Sequence, residues 1–172
     1  MNNDRDIIEK ASKILDESLA EELKGQGHYL TGALQNSISH DTVQGSNETS
    51  STGYVLKYGL YMHYGVKPAK IPFNPGSGAK SSKYIDALIN YFKLRGLSDK
   101  EAKSAAFATA KKHKEEGMPT SGSYTYSNNG RRLAFIKEVE DGKGKKADKV
   151  IRTGIDNNVS KTFNKTKSET IS

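Results

Sequence analysis

Any chemistry in this chain has to come from histidines, serines, tyrosines and carboxylates, because there is no cysteine. The four histidines are His28, His40, His63 and His113, and no two stand in H-x-H or H-x-x-x-H spacing. Zinc sites of the common kinds present at least two ligands at such spacing, so neither a metal nor a cofactor is expected. No serine lies in G-x-S-x-G, and the carboxylates read as solvated helix faces. The stretch N74-P-G-S-G-A-K-S-S82 superficially looks like a phosphate-binding loop. Such loops need glycine directly before the lysine so that backbone amides wrap the phosphate, and here that place holds Ala79. It reads as a flexible connector. With no nucleophile, base and stabiliser at readable spacing, the sequence predicts a protein that is not an enzyme.

The remaining concentration of unusual residues is Tyr54 to Phe73, Y-V-L-K-Y-G-L-Y-M-H-Y-G-V-K-P-A-K-I-P-F. Tyr54, Tyr58, Tyr61 and Tyr64 with Lys57, Lys67 and Lys70 would make a stacking platform on a basic surface, as single-strand binders use. Tyrosine is also intrinsically good in sheets, where it fills a core edge or a subunit contact. On that second reading the stretch is a strand to about Tyr58, a bend at Gly59 and a second strand through Tyr64. Pro68 and Pro72 exclude a central strand beyond it.

Several elements must position this stretch. Residues 4 to about 24 place Ile7, Ile8, Ala11, Ile14, Leu15, Leu19 and Leu23 at helical spacing, with Asp4 and Asp6 at the favourable end and Gly25 and Gly27 as a stop. His28 to Ile38 predicts a turn or two of helix feeding a strand. Ser39 to Gly53 is rich in Ser, Thr and Asn and reads as a long hairpin tip. Lys83 to Gly96 predicts a helix, and Ser98-x-x-Glu101 is a capping box that starts another running to Gly117. Ala102, Ala105, Ala106 and Ala110 give that helix a small-residue stripe for close packing. Residues 118 to 131 form a second polar excursion, Leu133 to Val139 suits strand or helix, and D141-G-K-G-K-K reads as a linker or turn. A last helix is predicted from about Lys146, with Val150, Ile151, Ile155, Val159 and Phe163 on one face, interrupted at Gly154 and fraying after Phe163.

Composition bounds the whole. The 172 residues suit one domain, but only 34% are hydrophobic, which predicts a modest core with arms that gain order from partners. No apolar run is long enough to span a membrane, and no secretory signal is evident, so the expectation is a soluble protein made in a cytoplasm. Net charge is +7 and uneven: the first 50 residues carry four Lys or Arg against nine Asp or Glu, the rest twenty-three against eleven. Such asymmetry suits nucleic acid or a complementary face on another copy.

Two ordered segments carry a family resemblance. Y29-L-T-G-A-L-Q-N-S-I38, followed after a hairpin by Y58-G-L-Y-M-H-Y-G-V66, resembles the signature of tailed-phage neck proteins of the head-to-tail connector or tail-completion type. In that family a T-G-x-L-x-x-S-I segment leads into strands and a Y-A-x-Y-V-E-F-G-T-like strand follows. Met62, His63 and Tyr64 occupy the V-E-F places, so the usual acid is replaced by histidine. Residues 87 to 120 look like a helical insertion found in part of the family.

The resemblance implies an α+β fold, a small antiparallel sheet packed by an N-terminal and a C-terminal helix, with an inserted helical pair at about 82–118 and long polar loops. It implies a single domain over 1–164 with a frayed tail at 165–172. The work implied is mechanical: a homo-oligomeric ring in the virion neck, assembled in the bacterial host cytoplasm. The ring would contact portal or adaptor proteins and tail proteins, with at most transient contact to genomic DNA and none to membrane. Interface candidates are Tyr58, Tyr61, His63 and Tyr64 on the tyrosine stretch, Val43 on the hairpin, and Tyr124 and Tyr126 on the second excursion. The alternative is a basic single-stranded nucleic-acid-binding module using the tyrosine and lysine surface.

Overall fold

Two long antiparallel helices form the frame. The computed structural model describes residues 4–76 and 82–170, the last three by backbone alone. Helix α1 (Asp4–Gly25) buries Ile7, Ala11 and Leu23 along one face, as its apolar spacing predicts. Helix α7 (Gly144–Thr170) lies along it in the reverse direction. Lys143 Nζ reaches Glu21 at 2.6 Å, Gly154 sits on Ile7, and Asn158 Nδ2 donates to Asp4 Oδ1 at 3.1 Å. These contacts set the register. Past Asn158, α7 continues beyond the start of α1 for about 18 Å at the usual helical rise. The helix runs on to Thr170, past Phe163; residues 171 and 172 lie outside the described part.

The chain enters α7 without the expected linker. Helix α6 (Phe135–Glu138) passes into a π-helical turn over Val139–Lys143 and directly into α7. The Gly144 N–H reaches back to the Val139 carbonyl, the wider bond that lets one extra residue into the turn. The Gly-Lys run reads as flexible, but buried Val139 and Ala147 on either side hold it helical. The segment from Leu133, open between strand and helix in the sequence, is thereby helical from Phe135.

The sheet is not where the tyrosines predict it. Strands β1 (Ser39–Gln44) and β2 (Thr49–Tyr54) pair antiparallel, Ser39 opposite Tyr54 and Gln44 opposite Thr49. The polar stretch expected to be only a hairpin tip is thus the sheet itself, closed by a Gly45 N–H to Glu48 carbonyl bond of 2.7 Å. Its polar strands are satisfied by a polar partner. Ser12 Oγ on α1 donates to Ser51 Oγ at 2.7 Å, and Thr42 Oγ1 donates to Glu9 Oε2 at 2.9 Å. The expected strands between Tyr54 and Tyr64 are replaced by a helix, α3 (Gly59–Tyr64), with only Tyr54 retained in β2. The structure is 65% helical and, among the described residues, holds this one two-stranded sheet, an α+β fold in which the sheet is laid on a helical frame.

Short helix α2 (Ala33–Asn36) feeds β1, as predicted. Buried Leu23, Leu34 and Phe135 meet at the C-terminal end of α1, with Leu19, Ile38, Val55 and Met62 packed around them. The inserted pair is α4 (Lys83–Leu94) and α5 (Asp99–Glu116), joined through Gly96, whose φ of +90° closes α4. The Leu97 and Gly96 amides reach back to Phe92 and Lys93, capping the helix end. Ala102, Ala106 and Ala110 are fully buried, as the small-residue stripe predicts, and Phe107 meets Phe73 edge-on at 6.3 Å. Residues 77–81 of the connector lie outside the described part.

Candidate functional site

The tyrosine stretch becomes a ridge because its spacing is helical. Gly59 is buried where a β-carbon would lie 3.1 Å from Leu34 Cδ1, so α3 rests on Leu34 by way of a missing side chain. The Ser37 hydroxyl donates to the Leu34 carbonyl at 2.7 Å and accepts the Leu56 amide at 3.1 Å, tying the entry of α3 to the end of α2. Met62 turns inward to the core. Tyr58, Tyr61 and Tyr64, three residues apart, are left outside with Leu60, Tyr64 being 75% exposed.

His63 does not join that exposed row. Its ring is half-buried, edge-on to Phe135 at 5.6 Å, and its Nδ1 accepts the Ile136 amide at 3.3 Å. The His63 carbonyl accepts the Ala134 amide at 2.8 Å, so one residue holds two amides at the start of α6. Burial pushes the His63 pKa down, which keeps the ring neutral and able to accept. His63 thus acts as an acceptor for a helix start.

The other candidates fall in two places. Val43 lies on the outer face of the ribbon, exposed, near the N-terminal end of α1, since neighbouring Thr42 bonds Glu9. Tyr124 and Tyr126 lie on a 3₁₀ helix over Ser121–Tyr126 inside the second polar excursion, at the C-terminal end of α1. The Asn128 amide donates to the Gly25 carbonyl at 2.8 Å. Gly27, at φ +77°, is required there, because a β-carbon would lie 2.3 Å from the Tyr126 carbonyl oxygen. The structure therefore gathers six of the seven candidates toward one end of α1 and leaves Val43 at the other.

Sequence reasoning missed residues at both ends. At the N-terminal end of α1, a groove of about 840 Å³ opens between the hairpin tip and α7, floored by Ile8, Ile155, Val159 and Phe163. The apolar stripe of α7 was legible, but that it outruns α1 was not. At the other end, Gln26 is fully buried; its amide donates to Glu22 Oε1 and the Leu133 carbonyl while its Oε1 meets no partner. Arg132 donates from a terminal nitrogen to the Gln26 carbonyl at 2.7 Å, and His28 Nε2 donates to the Arg132 carbonyl at 3.1 Å.

Two further histidines are structural pairs. His40 Nδ1 lies 2.6 Å from Asp16 Oδ2, and its Nε2 is 3.2 Å from Glu9 Oε1, near enough for an ion pair but off-line for a hydrogen bond. The Asp16 hydrogen bond, with Glu9 in support, raises the His40 pKa. The Tyr84 hydroxyl lies 2.6 Å from His113 Nδ1; burial pushes the phenol up to about 12 and the imidazole down, so the phenol donates. No group of three His, Cys, Asp or Glu placed to hold a metal ion lies among the described residues. No helix among them is long and apolar enough to cross a membrane. Comparison with protein-family models, curated proteins and solved structures found no match.

Proposed function

We propose that this chain is a structural virion protein of a tailed phage, forming a ring in the neck between portal and tail. The observation that carries the reading is the pair of unlike apolar surfaces at opposite ends of α1: the tyrosine ridge of α3 at one, the α7 overhang and hairpin groove at the other. A molecule whose two ends differ joins its copies head to tail, and such contacts close into rings when the rotation allows. The two segments that resemble neck proteins also support it, since Leu34 and Ser37 of the first seat Gly59 and Leu56 beside the second. The charge imbalance between the first 50 residues and the rest suits the same head-to-tail contact. In this role the ring seals the filled head, extends the DNA channel and docks the next tail component.

Electron microscopy of particles from a phage carrying a stop codon in this gene tests the proposal. Filled or leaking heads accumulating apart from finished tails are the expected result. Intact, infectious virions without the protein would overturn it. In that event a basic single-strand-binding module is the reading left, and its binding would fall steeply with salt and weaken in Tyr58→Ala or Tyr61→Ala.

A further inference from the structure

At the C-terminal end of α1, two arginines stand together with no counter-charge. The Arg95 guanidinium carbon lies 4.9 Å from the centre of the Tyr91 ring and 5.1 Å from that of Tyr126. Arg132 reaches Tyr126 at its backbone. One point, the missing β-carbon of Gly27, is 2.6 Å from an Arg132 terminal nitrogen and 2.3 Å from the Tyr126 carbonyl oxygen. Among the described residues neither arginine meets a carboxylate, whereas adjacent Arg131 pairs with Glu138 at 2.9 Å. Arg132 Nε is buried without a partner. Burial lowers the Arg132 pKa; the Tyr91 and Tyr124 hydroxyls oppose that shift and the nearby Arg95 charge adds to it.

A buried guanidinium nitrogen left unpaired is costly unless a ligand supplies the acceptor. The surroundings indicate which ligand. Arg95 already lies over one face of the Tyr91 ring and one face of the Tyr126 ring. What remains is the N–H edge of a planar fork, the shape that takes a carboxylate through paired bonds. Arg95 is exposed, and beside it exposed Leu94, Tyr124 and Tyr126 complete a Tyr–Arg patch of the composition that dominates protein contacts. Carboxylates are supplied by the chain itself. Asp6, Glu17 and Asp41, all exposed and within the acidic first 50 residues, meet no cation among the described residues.

We propose that the Arg95–Arg132 notch, framed by Tyr91 and Tyr126, receives a carboxylate from the acidic N-terminal region of a second copy of this chain. The inference rests on the ring reading and names the contact that such a ring would use.

Sedimentation of the full chain across salt concentrations tests it. Self-association that weakens with salt, and falls about ten-fold or more in Arg95→Ala but not in Arg131→Ala, is the expected result. Arg95→Lys keeps the charge without the planar fork and should lose part of the association, which covers the case that the alanine variant folds poorly by circular dichroism. Association that is unchanged in Arg95→Ala and Arg95→Lys overturns the inference, as does a wild-type chain that stays monomeric at millimolar concentration. A third outcome also overturns it: Arg95→Ala leaves association intact but weakens binding to a single-stranded oligonucleotide, which would make phosphate the anion. Association independent of Arg95 leaves the ring itself standing, since the virion experiment decides that separately.

Discussion

A β-carbon on residue 154 would fall 2.7 Å from three side-chain carbons of Ile7, so one absent methyl sets how closely α7 approaches α1. In sequence, Gly154 looks like a defect in an otherwise periodic helix, because alanine would favour the helix by about 1 kcal/mol. The structure reverses that preference. Overpacking costs about 1–3 kcal/mol, so Gly154→Ala should destabilise the protein by about 1 kcal/mol net despite its better propensity. A thermal midpoint lowered by about 3 °C is the expected reading, and a raised midpoint would show that Ile7 repacks freely. His63 gives a second lesson of the same kind. Its type and position invited an interface role, but packing against Phe135 turned it inward to accept the Ile136 amide. A half-buried acceptor at a helix start leaves no local pattern in sequence, because its partner lies more than seventy positions away.

At the scale of elements, helices with their own local signals were legible. The glycine stop of α1, the Ser98–Glu101 box and the glycine stop after α4 each rest on contacts within a few residues, and each stands in the structure. In that box the Glu101 carboxylate accepts the Ser98 amide at 3.0 Å and the Ser98 hydroxyl as well. The Ser98 hydroxyl bond, with its amide in support, holds the Glu101 pKa below the usual range. Ser98→Ala removes the hydroxyl of this box and should lower the urea midpoint with unchanged slope. The tyrosine stretch looks like strand in sequence for an identifiable reason. Tyrosine's sheet preference outweighed its spacing, yet Tyr58, Tyr61 and Tyr64 recur at three, a helical interval. The polar run before it misleads in the opposite direction. Ser and Thr without apolar alternation look like loop, but Ser12 and Glu9 on α1 supply the partners that make a ribbon of them.

For the whole molecule, the four histidines divide its pH dependence near their ordinary value of about 6.5. Burial depresses the pKa of His28, His63 and His113, so in the folded state these bind protons less readily than in the unfolded chain. Their contribution is complete above about pH 6.5 and is lost as pH falls. His40 behaves oppositely, because Asp16 and Glu9 raise its pKa; its contribution is complete below about pH 6.5 and fades as pH rises through the higher folded value. Stability measured by urea unfolding should therefore peak near pH 6.5, and His40→Ala should flatten the alkaline side while leaving the acid side. A peak unmoved and undiminished on both sides in that variant would mean that the His40 pair contributes nothing. The same whole-molecule view separates what each source decided. The sequence by itself determined the positions of α1, α4 and α5, the absence of cysteine chemistry and the uneven charge, because propensity, caps, periodicity and composition act over a few residues or over all of them. Only the tertiary structure decided that α7 outruns α1, that the ribbon lies at 39–54, and that Arg95 and Arg132 stand together unpaired. Those are contacts between distant segments, and no local preference records which distant partner will satisfy a polar or charged group.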